Sequence, residues 1–141
     1  MSHSKVKIWV HAIFGVKNRN KLIEFKIENK IHNLIKSELI DMKCYVEEIN
    51  GVEDHVHALF LLNPKKSITD VMKQAKGAVS YQINQNGITK QKFSWQVGYG
   101  AFSVSELQMH IVKRYIQNQK IHHQKRTFEE EYEEFLKIHR L

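Results

Sequence analysis

Two neighbouring runs constrain the fold most: CYVEEING at 44–51 and DHVHALFLL at 54–62. Both are rich in β-branched and aromatic residues, and a turn dipeptide, Asn50-Gly51, ends the first. Together they predict an antiparallel hairpin with its turn at Asn50-Gly51. The rest of the chain must complete a sheet around that hairpin. Upstream, KVKIWVHAIF at 5–14 alternates as a strand. Residues 21–40 then carry Leu22, Phe25, Ile31, Leu34, Ile35 and Leu39 at roughly helical spacing. Downstream, Pro64 marks a turn and Ser67 caps a helix over about 67–86, with Asp70 three residues on to favour its N-terminus. SWQVGYGAFSVS at 94–105 reads as a strand bent or bulged at its glycines. Ser105 is then expected to cap a long helix through about 124, and Thr127 a short acidic one. The order β-α-β-β-α-β predicts an α+β, ferredoxin-like fold: a four-stranded antiparallel sheet with two helices on one face, plus extra C-terminal helices. That arrangement hosts many functions and settles none of them.

A chain of 141 residues, 42% hydrophobic, has apolar mass for one core. We therefore expect a single domain over 1–141, its core at about 1–104 and its C-terminal helices at about 105–141. No 18-residue apolar run is present, which argues against a membrane helix. The N-terminal apolar stretch is short, alternates and carries His11, unlike a signal peptide. Cys44 is the one cysteine, which excludes an internal disulfide and a cysteine-rich zinc site. These features predict a cytoplasmic protein of bacterial type. The net charge is +7, but residues 127–141 hold five acids and two bases, so residues 1–126 carry +10. A basic body with an acidic last helix suits a polyanion partner, although many basic proteins never meet nucleic acid.

His55 and His57 share one face of their strand, about 7 Å apart along the chain. Both imidazoles can reach one divalent cation, and Asp54 can fix a histidine tautomer from behind. Two half-exposed histidines at a hairpin mouth are an equally simple account of the pair alone. In HIVKRYIQNQKIHHQKR, 110–126, a helix places Tyr115, Gln119 and His122 within an arc of about 60°. Met109, Val112 and Ile116 form a separate apolar stripe, so Tyr115 need not anchor the helix. Lys113, Arg114, Lys120, Lys125 and Arg126 surround it with positive charge. A tyrosine hydroxyl, with its pKa near 10, is a weak nucleophile unless a metal neutralises the phosphate it attacks. Gln119 can add a neutral oxygen to the two imidazoles. That set suits Mg2+ or Mn2+, with Mn2+ favoured by the imidazoles.

EDHVHALF, WQVGYGAFSVS, and YIQNQKIHH followed by TFEEEYEEFL together resemble the HUH single-tyrosine transposases of small bacterial insertion sequences, including their REP-associated relatives. The resemblance runs from the first strand to the last helix. It implies a ferredoxin-like fold, a homodimer, and cleavage and rejoining of single-stranded DNA at element ends near recognised hairpins, in a nucleoid setting. By motif position it implies His55, His57 and Gln119 as metal ligands, with Mg2+ or Mn2+ as cofactor, and Tyr115 as nucleophile. In that family the tyrosine helix of one subunit can serve the histidine pair of the other. Lys73 and Lys76, on the helix 67–86, join Lys113, Arg114 and Lys120 as DNA-contact candidates. His122 and His123 stand as alternatives to Gln119. Two other classes remain open: a non-catalytic nucleic-acid-binding module on an RRM-like sheet, and a metal-dependent hydrolase that uses water. The first lacks the aromatic pair usual on RRM strands. A domesticated relative acting on chromosomal palindromes would share every residue named here.

Overall fold

Strands β1 (Trp9–Gly15), β2 (Tyr45–Val52), β3 (His55–Leu61) and β4 (Gly100–Val104) form one antiparallel sheet in the order β2-β3-β1-β4. This is a computed structural model, and it describes residues 4–141. Helices α1 (Phe25–Asp41) and α2 (Ile68–Gln85) provide the two crossovers, giving the expected ferredoxin-like order. Three more follow: α3 (Met109–Gln117), α4 (Gln119–His122) and α5 (Phe128–Ile138).

The alternation of β1 and β3 sorts the sheet into two faces. Val10, Ala12, Phe14, Val56, Ala58 and Phe60 point to one side. There they meet Ile31, Ile35 and Leu39 of α1, and Val71, Met72, Ala75, Val79 and Ile83 of α2. Those helical residues recur every three or four positions, which is why each helix buries a single stripe. Full burial of one such side chain is worth about 1.5–3 kcal/mol, so this layer is the main source of stability. The opposite face carries His11, Ile13, His55, His57, Leu59 and Phe102, paired across the strands by register. On this face lies α5: its Phe135 ring is 5.2 Å from His11 and 5.7 Å from Phe102, and Phe128 stacks on His55 at 4.1 Å. It seats closely because two of the residues beneath it are glycines. A Cβ on Gly15 would lie 2.7 Å from Phe128, and one on Gly100 would lie 2.9 Å from Tyr132.

Four expectations are corrected. The hairpin does not turn at Asn50-Gly51: β2 continues to Val52, pairing Asn50 with His57 and Gly51 with Val56, and the turn falls at Glu53-Asp54. Asn50 is used differently, donating through Nδ2 to the carbonyls of Ile116 (3.0 Å) and Gln117 (3.2 Å). These are carbonyls at the end of α3, and the cap fits the second difference, a break at Asn118 in the expected 105–124 helix. Ser105 makes no side-chain cap; a 3-10 turn at Glu106–Gln108 precedes α3 instead. Third, β4 is shorter than 94–105. Side chains of α2 satisfy the backbone before it: Asn84 clamps Phe93, and Lys76 donates to the carbonyls of Gln96 and Gly98. Gly98, at φ 90°, supplies the bend. Fourth, α1 starts at Phe25, later than residue 21, and Phe25 itself is exposed. Two caps are found as read: Ser67 Oγ accepts from Asp70 N, and Thr127 with Glu130 forms a reciprocal capping box that opens α5.

Candidate active site

His55 and His57 enter the site from the first half of β3, and both are fully buried. Asp54, in the turn, lies 2.7 Å from His55 Nδ1. A carboxylate there holds the Nδ1 proton, so in the neutral ring the Nε2 lone pair faces the site. Nδ1 of His57 lies 2.8 Å from His11 Nε2, an imidazole pair sharing one hydrogen bond. Nε2 of His57 therefore also points inward.

Tyr115 on α3 and Gln119 at the start of α4 close over the pair. The Tyr115 ring is 5.9 Å from that of His57, and Gln119 Oε1 is 3.2 Å from His55 Nε2. The break at Asn118 does not separate them, since α3 and α4 abut. His122 goes elsewhere: its ring stacks on Tyr115 at 4.5 Å, and its buried Nε2 has no hydrogen-bond partner among the described residues. His123 is the one turned inward, its ring 4.5 Å from His55.

The centre of this cluster is Glu131 of α5, which is fully buried. Its Oε1 lies 3.1 Å from His55 Nε2, 3.1 Å from His57 Nε2 and 3.0 Å from His123 Nε2. Its Oε2 accepts from Gln119 Nε2 at 2.8 Å and from the Tyr115 hydroxyl. Arg126 Nη2 donates to the same hydroxyl at 2.7 Å. Arg126 is held in turn by an ion pair with Glu134.

Burial sets the protonation of the centre, modified by these partners. It would raise the Glu131 carboxyl, but hydrogen bonds from His123, His55 and His57 outweigh it and hold the group well below the usual carboxylate range. Burial pulls His57 down to about 4, more than Glu131 raises it. His11 is likewise lowered by burial and by His57. For His55 burial is outweighed by Asp54 and Glu131, and its pKa is raised. Burial, and then the acceptor Glu131, push Tyr115 up, so its hydroxyl keeps its proton. His55, His57 and Glu131 offer ligand atoms that all lie within 4.8 Å of one another. Two imidazole nitrogens, an amide oxygen and a carboxylate oxygen are a donor set that fits Mn2+ or Mg2+.

Sequence reading missed Glu131, Arg126 at the hydroxyl, and His11; of its two alternatives to Gln119, His123 is the one that faces the site. Glu131 was legible only as one of five acids. The signal was its phase: Phe128, Glu131 and Phe135 fall on one helical face, so one acid sits in an aromatic stripe.

The candidate cations fall into two places. Lys113 pairs with Glu47 at 3.2 Å, and Lys120 bonds Asn50, Gly51 and Glu28, so both hold the tyrosine segment to β2 and α1. Arg114 lies on the same helix as Lys113 and is exposed. Lys120 and Arg126, with Arg19, Lys21 and Phe25, line a cavity of about 560 Å3 beside the histidines. Lys73 and Lys76 lie in the other helical layer, beside a separate cleft of about 470 Å3. The sheet face that an RRM-like module would offer to bases is covered by the C-terminal helices. No described helix is long and apolar enough to cross a membrane.

A sequence profile described as "Transposase IS200 like" matches residues 4–119. No curated protein sequence matches the chain. Among solved structures, a Deinococcus radiodurans R1 protein assigned as a transposase is similar, with 22% identity and a TM-score of 0.68 over 84% of this chain and 95% of that one. A REP-associated tyrosine transposase bound to a REP hairpin is also similar, with 13% identity and a TM-score of 0.65 over 87% of this chain and 74% of that one. The two likenesses support the fold, and the profile covers strands, histidine pair, tyrosine and glutamine together. The chain belongs to the family of IS200-like transposases.

Proposed function

We propose that this transposase cleaves and rejoins single-stranded DNA through a 5′-phosphotyrosine on Tyr115. The observation that carries the reading is the span of one buried carboxylate. Glu131 touches the Tyr115 hydroxyl with one oxygen and both histidine Nε2 atoms with the other. A phosphodiester is an anion of similar reach. Placed there, it would meet the nucleophile and the metal-ligating nitrogens at once.

His55, His57 and Gln119 would hold Mg2+ or Mn2+, which when bound supplies charge neutralisation at the phosphate. Asp54 fixes the His55 ring so that its lone pair faces inward. Arg126 holds the Tyr115 oxygen and offsets its charge as it attacks. The Tyr115 oxygen bonds to phosphorus, the bond to the 3′ oxygen breaks, and the tyrosine proton ends on that departing oxygen. One ester replaces another, so rejoining needs no outside energy source. The buried site keeps bulk water from the phosphotyrosine.

The cavity lined by Arg19, Lys21, Lys120 and Arg126 is a path for the strand next to the cleaved bond, since cations supply sequence-independent affinity. Lys113 and Arg114 extend that basic edge, and Lys73 and Lys76 offer a second contact across the sheet. The hairpin bound by the REP-associated relative supports hairpin-bearing DNA as the substrate here. One chain can supply both tyrosine and ligands, so attack in cis is geometrically open beside the trans arrangement. A homodimer would serve to bring two DNA ends together.

The test is a denaturing gel of the protein with end-labelled single-stranded DNA from the flanks of its own gene, with Mn2+, Mg2+ or EDTA. We expect a metal-dependent covalent adduct that Tyr115→Phe abolishes while DNA binding persists. Cleavage without an adduct would instead make the protein a hydrolase that uses water. Binding with neither would make it a non-catalytic module.

A further inference from the structure

At the centre of the site, candidate ligand atoms converge: those of His55, His57 and Glu131 all lie within 4.8 Å of one another. His55 Nδ1 donates a hydrogen bond to Asp54, and its Nε2 lies 3.2 Å from Gln119 Oε1 and 3.1 Å from Glu131 Oε1. His57 Nε2 faces the same Glu131 oxygen at 3.1 Å. Glu131 is thus the fourth member of a donor set, beside His55, His57 and Gln119, and all four are buried. It is the one member with a negative charge, and the one supplied from outside the sheet and the tyrosine segment. It is also the member whose other oxygen takes the hydroxyl of the nucleophile.

We propose that Glu131 is a metal ligand of the resting protein, and that the scissile phosphate takes its place when DNA enters. This rests on the reading of His55, His57 and Gln119 as metal ligands. The chemistry favours exchange over permanent ligation. A carboxylate gives a hard cation the anionic oxygen that two imidazoles and an amide lack. A phosphodiester offers the same kind of oxygen, and both cannot lie between Tyr115 and the histidines. Glu131 is also carried on α5, outside the sheet and the tyrosine segment, so its withdrawal needs the ring contacts of Phe128 with His55 and of Phe135 with Tyr115 to part. The resting protein then keeps its metal and holds its tyrosine, while Arg126 stays beside the hydroxyl to receive the phosphate.

The experiment measures Mn2+ binding by calorimetry, without DNA, for the full-length protein, Glu131→Gln, Glu131→Ala and His57→Ala. The covalent adduct is then assayed at saturating Mn2+. We expect both Glu131 variants to bind Mn2+ at least about tenfold more weakly, as loss of a charged ligand dictates. We also expect adduct formation at saturating metal to be retained or increased. Unchanged Mn2+ affinity in both Glu131 variants, with affinity lost in His57→Ala, would overturn the ligand role of Glu131 alone. Weaker binding with the adduct also lost would overturn the exchange and make Glu131 a fixed ligand. Affinity that His57→Ala leaves intact would instead overturn the underlying metal site. Circular dichroism and thermal melting of each variant separate these results from misfolding.

Discussion

His32 of α1 is a buried histidine outside the site, and its titration should leave a measurable mark on stability. Its Nε2 has no hydrogen-bond partner among the described residues. Burial, and secondly the nearby Lys120 cation, lower its pKa to about 4. In the unfolded chain the ring returns to about 6.5, so between these values the unfolded state binds more protons. Stability from keeping His32 neutral is therefore full above pH 6.5 and is lost as pH falls towards 4. Linkage gives a loss of about 2 kcal/mol between pH 7.5 and pH 5 from this one group. The perturbation is His32→Gln, which keeps a polar side chain and removes the titration. Urea unfolding in EDTA, at both pH values, reads ΔG by linear extrapolation. Other buried histidines, such as His11 and His57, titrate in both proteins and cancel. We expect the wild-type protein to lose about 2 kcal/mol more than the variant over this interval. Parallel losses would refute the reasoning, because they would mean that His32 is as easily protonated folded as unfolded.

Two further outcomes follow from the site and its hairpin. Asp54→Ala removes the acceptor that orients His55, and should weaken Mn2+ binding by about 10–100-fold with the fold unchanged, as calorimetry and circular dichroism would show. Gly51→Ala drives a methyl group into the His55 carbonyl and to within 3.0 Å of Val56 Cα. Because the obstacle is backbone, it should cost about 1–3 kcal/mol or more in urea unfolding and loosen the hairpin that carries both histidines.

Much of this was legible from the chain, for reasons that differ by residue. The order of elements follows from periodicity, and Ser67 and Thr127 mark helix starts because their hydroxyls do local work. His55, His57 and Asp54 could be placed together because a strand fixes which neighbours share a face. Asn50-Gly51 misled because its turn preference is local, whereas the carbonyls that Asn50 caps belong to residues 116 and 117. The break at Asn118 was hidden for the same reason. Glu131 was lost among its neighbours because an exposed acid and a buried one look alike until the histidines that oppose it are in place. His123 faces inward where His122 does not, a difference that one residue of phase after the Asn118 break decides.

Gly15 and Gly100 give the site an adjustment that none of its chemical groups provides. They leave bare backbone beneath the Phe128 and Tyr132 rings, so α5 settles there as low as its ring contacts with His55, His11 and Phe102 allow. Glu131 rides at that height, while the histidines belong to the sheet. One methyl group at Gly15, under the first residue of the helix, or at Gly100, under Tyr132, would act as a shim. It would lengthen the carboxylate's reach to both imidazoles without altering any residue that binds or reacts. How firmly the protein guards its own centre is thus written partly in two positions that carry no functional group.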